Sequence, residues 1–170
     1  MLEQNGWLVY ALGGAAIAAE WWSYAFQCGL RFRRWSALAA LLWAAQYYGL
    51  GAETAALNMG MTAVRTLLSV QLERQAIRLL AACGFCLLFI VLTAASWQGW
   101  ISLLPALAVI NTTLALFYLH NLRMRQALLL SSLAWIGNDI FWQAWPALLA
   151  ESVAMLINGR SIARMTAAQR

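Results

Sequence analysis

The stretch WAAQYYGLGAETAALNMGMTAVR, residues 43–65, decides how the chain is read, because a variant of it returns at residues 135–160 as WIGNDIFWQAWPALLAESVAMLINGR. In each copy an apolar segment carries a tryptophan and an amide, turns tightly, and comes back through a segment that ends in arginine. Gly49 and Gly51 suit the first turn, and Trp142, Trp145 and Pro146 mark the second. Outside these stretches the chain is just as apolar. Hydrophobic side chains make up 64% of its 170 residues and charged ones only 10%, with ten tryptophans, far from the usage of a soluble domain. The sequence therefore predicts an all-α integral membrane protein.

Charge then sets its orientation. All eleven basic residues are arginines, and they group between the apolar runs, where anionic headgroups would meet them. They do not interleave with aromatics on a polar face, so the expected partner is the lipid bilayer and not nucleic acid. The first run, residues 7–28, is interrupted only by Glu20. Such a run is long enough to cross a core of ~30 Å at ~1.5 Å per residue. The N-terminus has no positive n-region, so this run is expected to stay as a span.

Arg31, Arg33 and Arg34 follow at once, which places that loop in the cytoplasm and the N-terminus outside. Further spans are expected at 35–48, 52–70, 79–97, 101–119, 126–142 and 147–163. Glu73, Arg74 and Arg78 form a second cytoplasmic loop, and His120, Asn121, Arg123 and Arg125 a third. Arg65 lies inside its span and is expected to snorkel to the headgroups. Arg160, Arg164 and Arg170 put the C-terminus in the cytoplasm. Seven transmembrane helices, multi-pass, bring every arginine to one side.

Adding 92 to Arg31, Arg33, Trp43 and Gln46 gives Arg123, Arg125, Trp135 and Asn138. Beyond the turn, Arg65 pairs with Arg160 only if three residues are inserted, and the position facing Asn58 falls near Glu151 or Ser152. The single membrane domain, 1–170, thus divides into a three-helix repeat at 7–70, a connector helix at 79–97 and a second repeat at 101–163. One connector keeps both repeats in the same orientation, a parallel 3+1+3 arrangement.

This layout, with a tryptophan on the second helix and an amide on the third, Trp43 and Asn58, resembles the SWEET, PQ-loop and PnuC transporters. A nearer likeness covers most of the chain. GLGAETAALNMGMTAVRTL, SLLPALAVINTTLALFY and WIGNDIFWQAWPALLAESVAMLINGRSIAR are similar to the bacterial inner-membrane proteins of the YgjV type. The specific elements are the spacing from Asn58 to Arg65, Leu104-Pro105, Trp135-x-x-Asn138, and Glu151 followed by Asn158-Gly159 and Arg164. That resemblance implies an inner-membrane location and carries no activity with it.

Trp43, Asn58, Trp135 and Glu151 each lie about ~10 Å from an external turn at the helical rise, so they are expected in one layer. Gln46 and Asn138 share helix faces with the two tryptophans. Aromatic faces with amides and one acid have the composition of a small-molecule site. The candidate binding residues are therefore Trp43, Gln46, Asn58, Trp135, Asn138 and Glu151. Aromatic packing with interhelical hydrogen bonds is the plainer account of the same residues.

Among the other acids, Asp139 adjoins the external end, where solvent is expected to reach it, and Glu20 has Ser23 and Tyr24 one turn on as local partners. Cys83 and Cys86 have redox-motif spacing, but within a helix they read as two small apolar residues. His120 alone makes no metal site, and no nucleophile triad or phosphate loop is present. The chain is not expected to be an enzyme or to need a cofactor. Two functions remain: transport of a small polar solute by alternating access, or a non-transporting scaffold or assembly partner. A homo-oligomer is compatible with either.

Overall fold

A left-handed backbone suits glycine, which has no Cβ to clash, and Gly51 adopts one at φ 80° where the chain reverses. Around it Ala52 N–H donates to Tyr47 O at 2.9 Å, Gly51 N–H to Tyr48 O at 3.0 Å, and Ala56 N–H to Ala52 O at 2.9 Å. Each of these bonds has a counterpart 92 residues further on. Ala144 N–H donates to Asp139 O at 2.9 Å, Gln143 N–H to Ile140 O at 3.3 Å, and Leu148 N–H to Ala144 O at 2.9 Å. Gln143 stands in the place of Gly51 and is left-handed too, at φ 54°.

The computed structural model describes residues 6–23, 25–26, 29–68, 75–119 and 121–167. These form seven α-helices and no strand: α1 Gly6–Ser23, α2 Gly29–Gly49, α3 Glu53–Leu68, α4 Gln75–Ala95, α5 Leu103–Tyr118, α6 Asn121–Trp142 and α7 Trp145–Ala167. A single 3₁₀ turn, Trp100–Ser102, leads into α5. Cys28, Glu73, Arg74, His120 and Arg170 lie outside the described residues.

The helices α2 and α6 start earlier than expected. Arg31, Arg33 and Arg34, and likewise Arg78, Arg123 and Arg125, lie in the first two turns of helices and not in loops. Arginine is a good helix former, and its long stem lets a helix run on into a polar boundary while the charge reaches outward.

Helix α2 packs on α1 and α3, and α6 packs on α5 and α7. Contacts of α1 with α7 and of α3 with α5 close the six into a ring, and α4 lies outside it against α3 and α5. Exchanging α1, α2 and α3 for α5, α6 and α7 leaves every contact in the ring unchanged. The α1 side is tight because Gly13 lacks a side chain. A Cβ there would stand 2.6 Å from Gln46 Nε2 on α2 and 2.7 Å from Pro146 Cβ on α7.

At the turn end a polar knot ties α3, α4 and α5 together. Thr54 Oγ donates to Ser96 O at 2.5 Å and lies 3.0 Å from Ser102 Oγ, while Gln98 Nε2 donates to Gly51 O at 2.7 Å.

Polarity is distributed inside out relative to a water-soluble bundle. Leu80 is 75% and Trp100 83% exposed, whereas Gln46, Asn58 and Asp139 are fully buried. Apolar surroundings favour that arrangement, since lipid solvates leucine while amides and acids find partners only within the protein. Among the described residues, two helices are long and apolar enough by composition alone to cross a membrane, Ile77–Ala95 and Trp100–Tyr118. Helix α3 is short, with 16 residues, and polar side chains lower the hydropathy of the others, arginines at one end of α2 and α6 and buried amides and acids within the ring.

Candidate functional site: a chamber inside the ring

Side chains that face the centre of the ring form a closed layer and, beneath it, a cavity. In the closed layer Tyr47 of α2 donates its O–H to Asp139 Oδ1 of α6 at 2.6 Å. The Tyr47 ring also stacks on Trp135, with centroids 5.6 Å apart and planes 17° from parallel. Tyr47 and Asp139 are 92 residues apart, the offset that relates the two turns, so corresponding positions of α2 and α6 meet across the centre.

Gln46 and Asn138 complete the layer, with Asn138 Nδ2 3.4 Å from Asp139 Oδ1. Both polar atoms of the Gln46 side chain, Asn138 Oδ1 and Asp139 Oδ2 have no hydrogen-bond partner among the described residues. The solvation of Asp139 expected from its place in the sequence does not occur, because the side chain is fully buried and bonded to Tyr47.

Beneath this layer lies a cavity of about 770 Å³ that extends from Trp43 and Trp135 toward the end where α2 and α6 begin, as far as Ser36 and Arg125. Every ring helix contributes to its wall and α4 does not. The two indoles, Trp43 and Trp135, come from α2 and α6. Glu20 of α1 and Glu151 of α7 stand on one side, and the Trp43 Nε1–H donates to Glu20 Oε2 at 3.1 Å. Ser132 of α6 is within hydrogen-bonding reach of the Glu151 carboxylate.

Arg65 of α3 also lines the cavity, only 6% exposed. It donates to Thr113 Oγ and, at 3.5 Å, to the Val109 carbonyl, and its guanidinium lies 5.8 Å over the Phe89 ring. The expected snorkelling to the headgroups does not occur. Two acceptors on α5 and an aromatic face on α4 hold the cation inward. At the mouth Arg125 and Asn158 clasp each other, Nη1 to Oδ1 at 3.3 Å and Nδ2 to the Arg125 carbonyl at 2.8 Å.

Of the six residues singled out from sequence, Trp43, Trp135 and Glu151 line the cavity. Gln46 and Asn138 belong to the closed layer. Asn58 faces out of the ring, donating Nδ2–H to Thr93 Oγ of α4 at 3.2 Å. Sequence reasoning set aside Glu20 and Arg65, which do line it. Ser23 Oγ donates to the backbone carbonyl of Glu20 at 2.6 Å and leaves the carboxylate to face inward.

A signal for Glu20 was present in the sequence, because Thr112, 92 residues on, lines the cavity as well. Most lining positions recur at that offset, Glu20 with Thr112, Trp43 with Trp135, Met59 with Glu151 and Arg65 with Ile157 among them, while Trp21, Arg125, Ala150 and Val153 do not. The three-residue insertion that paired Arg65 with Arg160 is therefore not needed. Positions recur across the ring, but the charges do not.

A polar chamber inside a ring of helices with an apolar exterior defines a helical membrane protein. The chain belongs to the YgjV family of bacterial inner membrane proteins, whose family model matches it over residues 7–169. No curated protein and no solved structure matches it.

Proposed function

We propose that the protein carries a small polar solute across the inner membrane by alternating access, with the chamber between two parallel three-helix repeats as its binding site. Helices α1–α3 form one repeat, α5–α7 the other, and α4 the connector. All seven cross the membrane, with the N-terminus outside and the chamber opening toward the cytoplasm.

The observation that carries this reading is the cavity itself. It has the size of a ligand pocket, lies where corresponding helices face each other, and is walled by two indoles and three ionisable side chains at membrane depth. The recurrence of turns and lining positions at one offset supports the repeat. The closed layer supports a gate. One short hydrogen bond and one aromatic stack cross the centre, and four buried polar atoms have no partner, so opening forfeits little and gives those atoms access to water. A scaffold whose polar residues only lock the helices would be served by a dry, filled interior.

Uptake into proteoliposomes, measured over a broad panel of polar metabolites, tests the proposal. Saturable uptake of at least one solute is expected, reduced at least tenfold by Trp135→Ala and by Glu151→Gln with folding intact. The absence of flux across the panel would sink it.

A further inference from the structure

The chamber separates its charges across the ring. In the closed sequence of helices α1, α2, α3, α5, α6, α7, the seam between α1 and α7 lies opposite the seam between α3 and α5, with α2 and α6 between them. Glu20 and Glu151 occupy the first seam, and Arg65 the second. Trp43 and Trp135 project from the intervening helices. Arg125, the remaining charge on the wall, is at the mouth against Asn158.

Among the described residues no ion pair joins Arg65 to either carboxylate, although all three line one cavity. Unpaired charges at membrane depth are costly and mark ligand contacts more often than packing. A neutral solute would leave both walls uncompensated, and an ion of one sign would leave one wall. A molecule with both signs compensates both.

On the acidic side, Glu20 is fixed by the Trp43 indole, and the two indole faces add the attraction that aromatic rings offer an ammonium group. On the basic side, Arg65 spends one terminal nitrogen on Thr113 and Val109, which aims the guanidinium. Its remaining donors suit a planar or tetrahedral oxyanion. We infer that the solute is a zwitterion, its ammonium group held between Glu20 and Glu151 and its carboxylate or phosphate on Arg65. This identification rests on the carrier function proposed above.

The two readings separate experimentally when binding and flux are measured on the same preparation. Binding to the purified full-length chain would be followed by isothermal titration with γ-aminobutyrate, glycine betaine and phosphocholine as zwitterions. Choline and butyrate serve as single-charge halves. At least one zwitterion is expected to bind ten times more tightly than either half, and carboxylate against phosphate probes identify the anionic group.

Glu20→Gln keeps an acceptor for the Trp43 indole. It is expected to weaken zwitterion binding at least tenfold while leaving butyrate unchanged. Arg65→Gln should do the converse, sparing choline. Equal binding of choline or butyrate and the best zwitterion, no binding of any zwitterion, or zwitterion binding unaffected by both substitutions would overturn the inference. Zwitterion binding without flux would instead overturn the carrier reading and leave this assignment of the chamber intact, and saturable flux of neutral solutes alone would do the reverse.

Discussion

Gln143 and Gly51 hold the same left-handed place in two turns with matching hydrogen bonds, yet only one of them is glycine. A side chain in that conformation costs roughly 1 kcal/mol relative to glycine, because its Cβ crowds the following carbonyl. Gln143→Gly should therefore stabilise the protein by up to about 1 kcal/mol, and Gly51→Ala should destabilise it by a similar amount, read as opposite shifts in Tm in detergent. At this scale the sequence was legible where a residue type has one dominant use. Gly51 announced its turn. Arg65 did not announce its direction, because an arginine near the end of a membrane helix snorkels unless acceptors lie inward, and Thr113 and Val109 belong to a helix 48 and 44 residues away.

Among the elements, α1 packs closely at Gly13 against α2 and α7. An added methyl group at Gly13 meets the rigid ring of Pro146 as well as the movable amide of Gln46, so relaxation on one side does not relieve the other. Gly13→Ala is expected to cost about 1–3 kcal/mol, the usual range for overpacking, measured as a fall in Tm. Gly14, with open space beyond its Cα, should accept alanine without that loss, which makes it the matched control. The seven helices were legible from the lengths of apolar runs and the placing of arginines. Their starts were not, since Arg31 and Arg123 satisfy a helix and a headgroup boundary equally well. The inward faces were legible in part. Trp43 and Trp135 stood out as tryptophans away from any interface, whereas the outward turn of Asn58 depends on Thr93 in α4, a helix outside the ring.

For the whole molecule, the carrier proposed above would need two states, and two contacts across the ring would favour the closed layer, the Tyr47–Asp139 hydrogen bond and the Tyr47–Trp135 stack. Tyr47→Phe removes the hydrogen bond that crosses the ring from Tyr47 to Asp139, while keeping the aromatic stack on Trp135. A buried hydrogen bond to an ionisable group contributes about 1.5–3 kcal/mol, so its loss in the closed state alone would raise the population of the opposite state by roughly ten- to a hundredfold. The lost donor adds to the effect, since Asp139 Oδ1 then keeps only the long contact from Asn138 Nδ2 at 3.4 Å, beside an Oδ2 that has no partner. A cysteine at Gln46, in a chain whose Cys28, Cys83 and Cys86 are replaced by serine, reports the state directly. In intact cells a membrane-impermeant maleimide should modify it at least ten times faster when Tyr47→Phe is present, and an excess of transported solute should alter that rate. Equal rates with and without the substitution would mean that the layer is a fixed plug and that the ring does not open at this end.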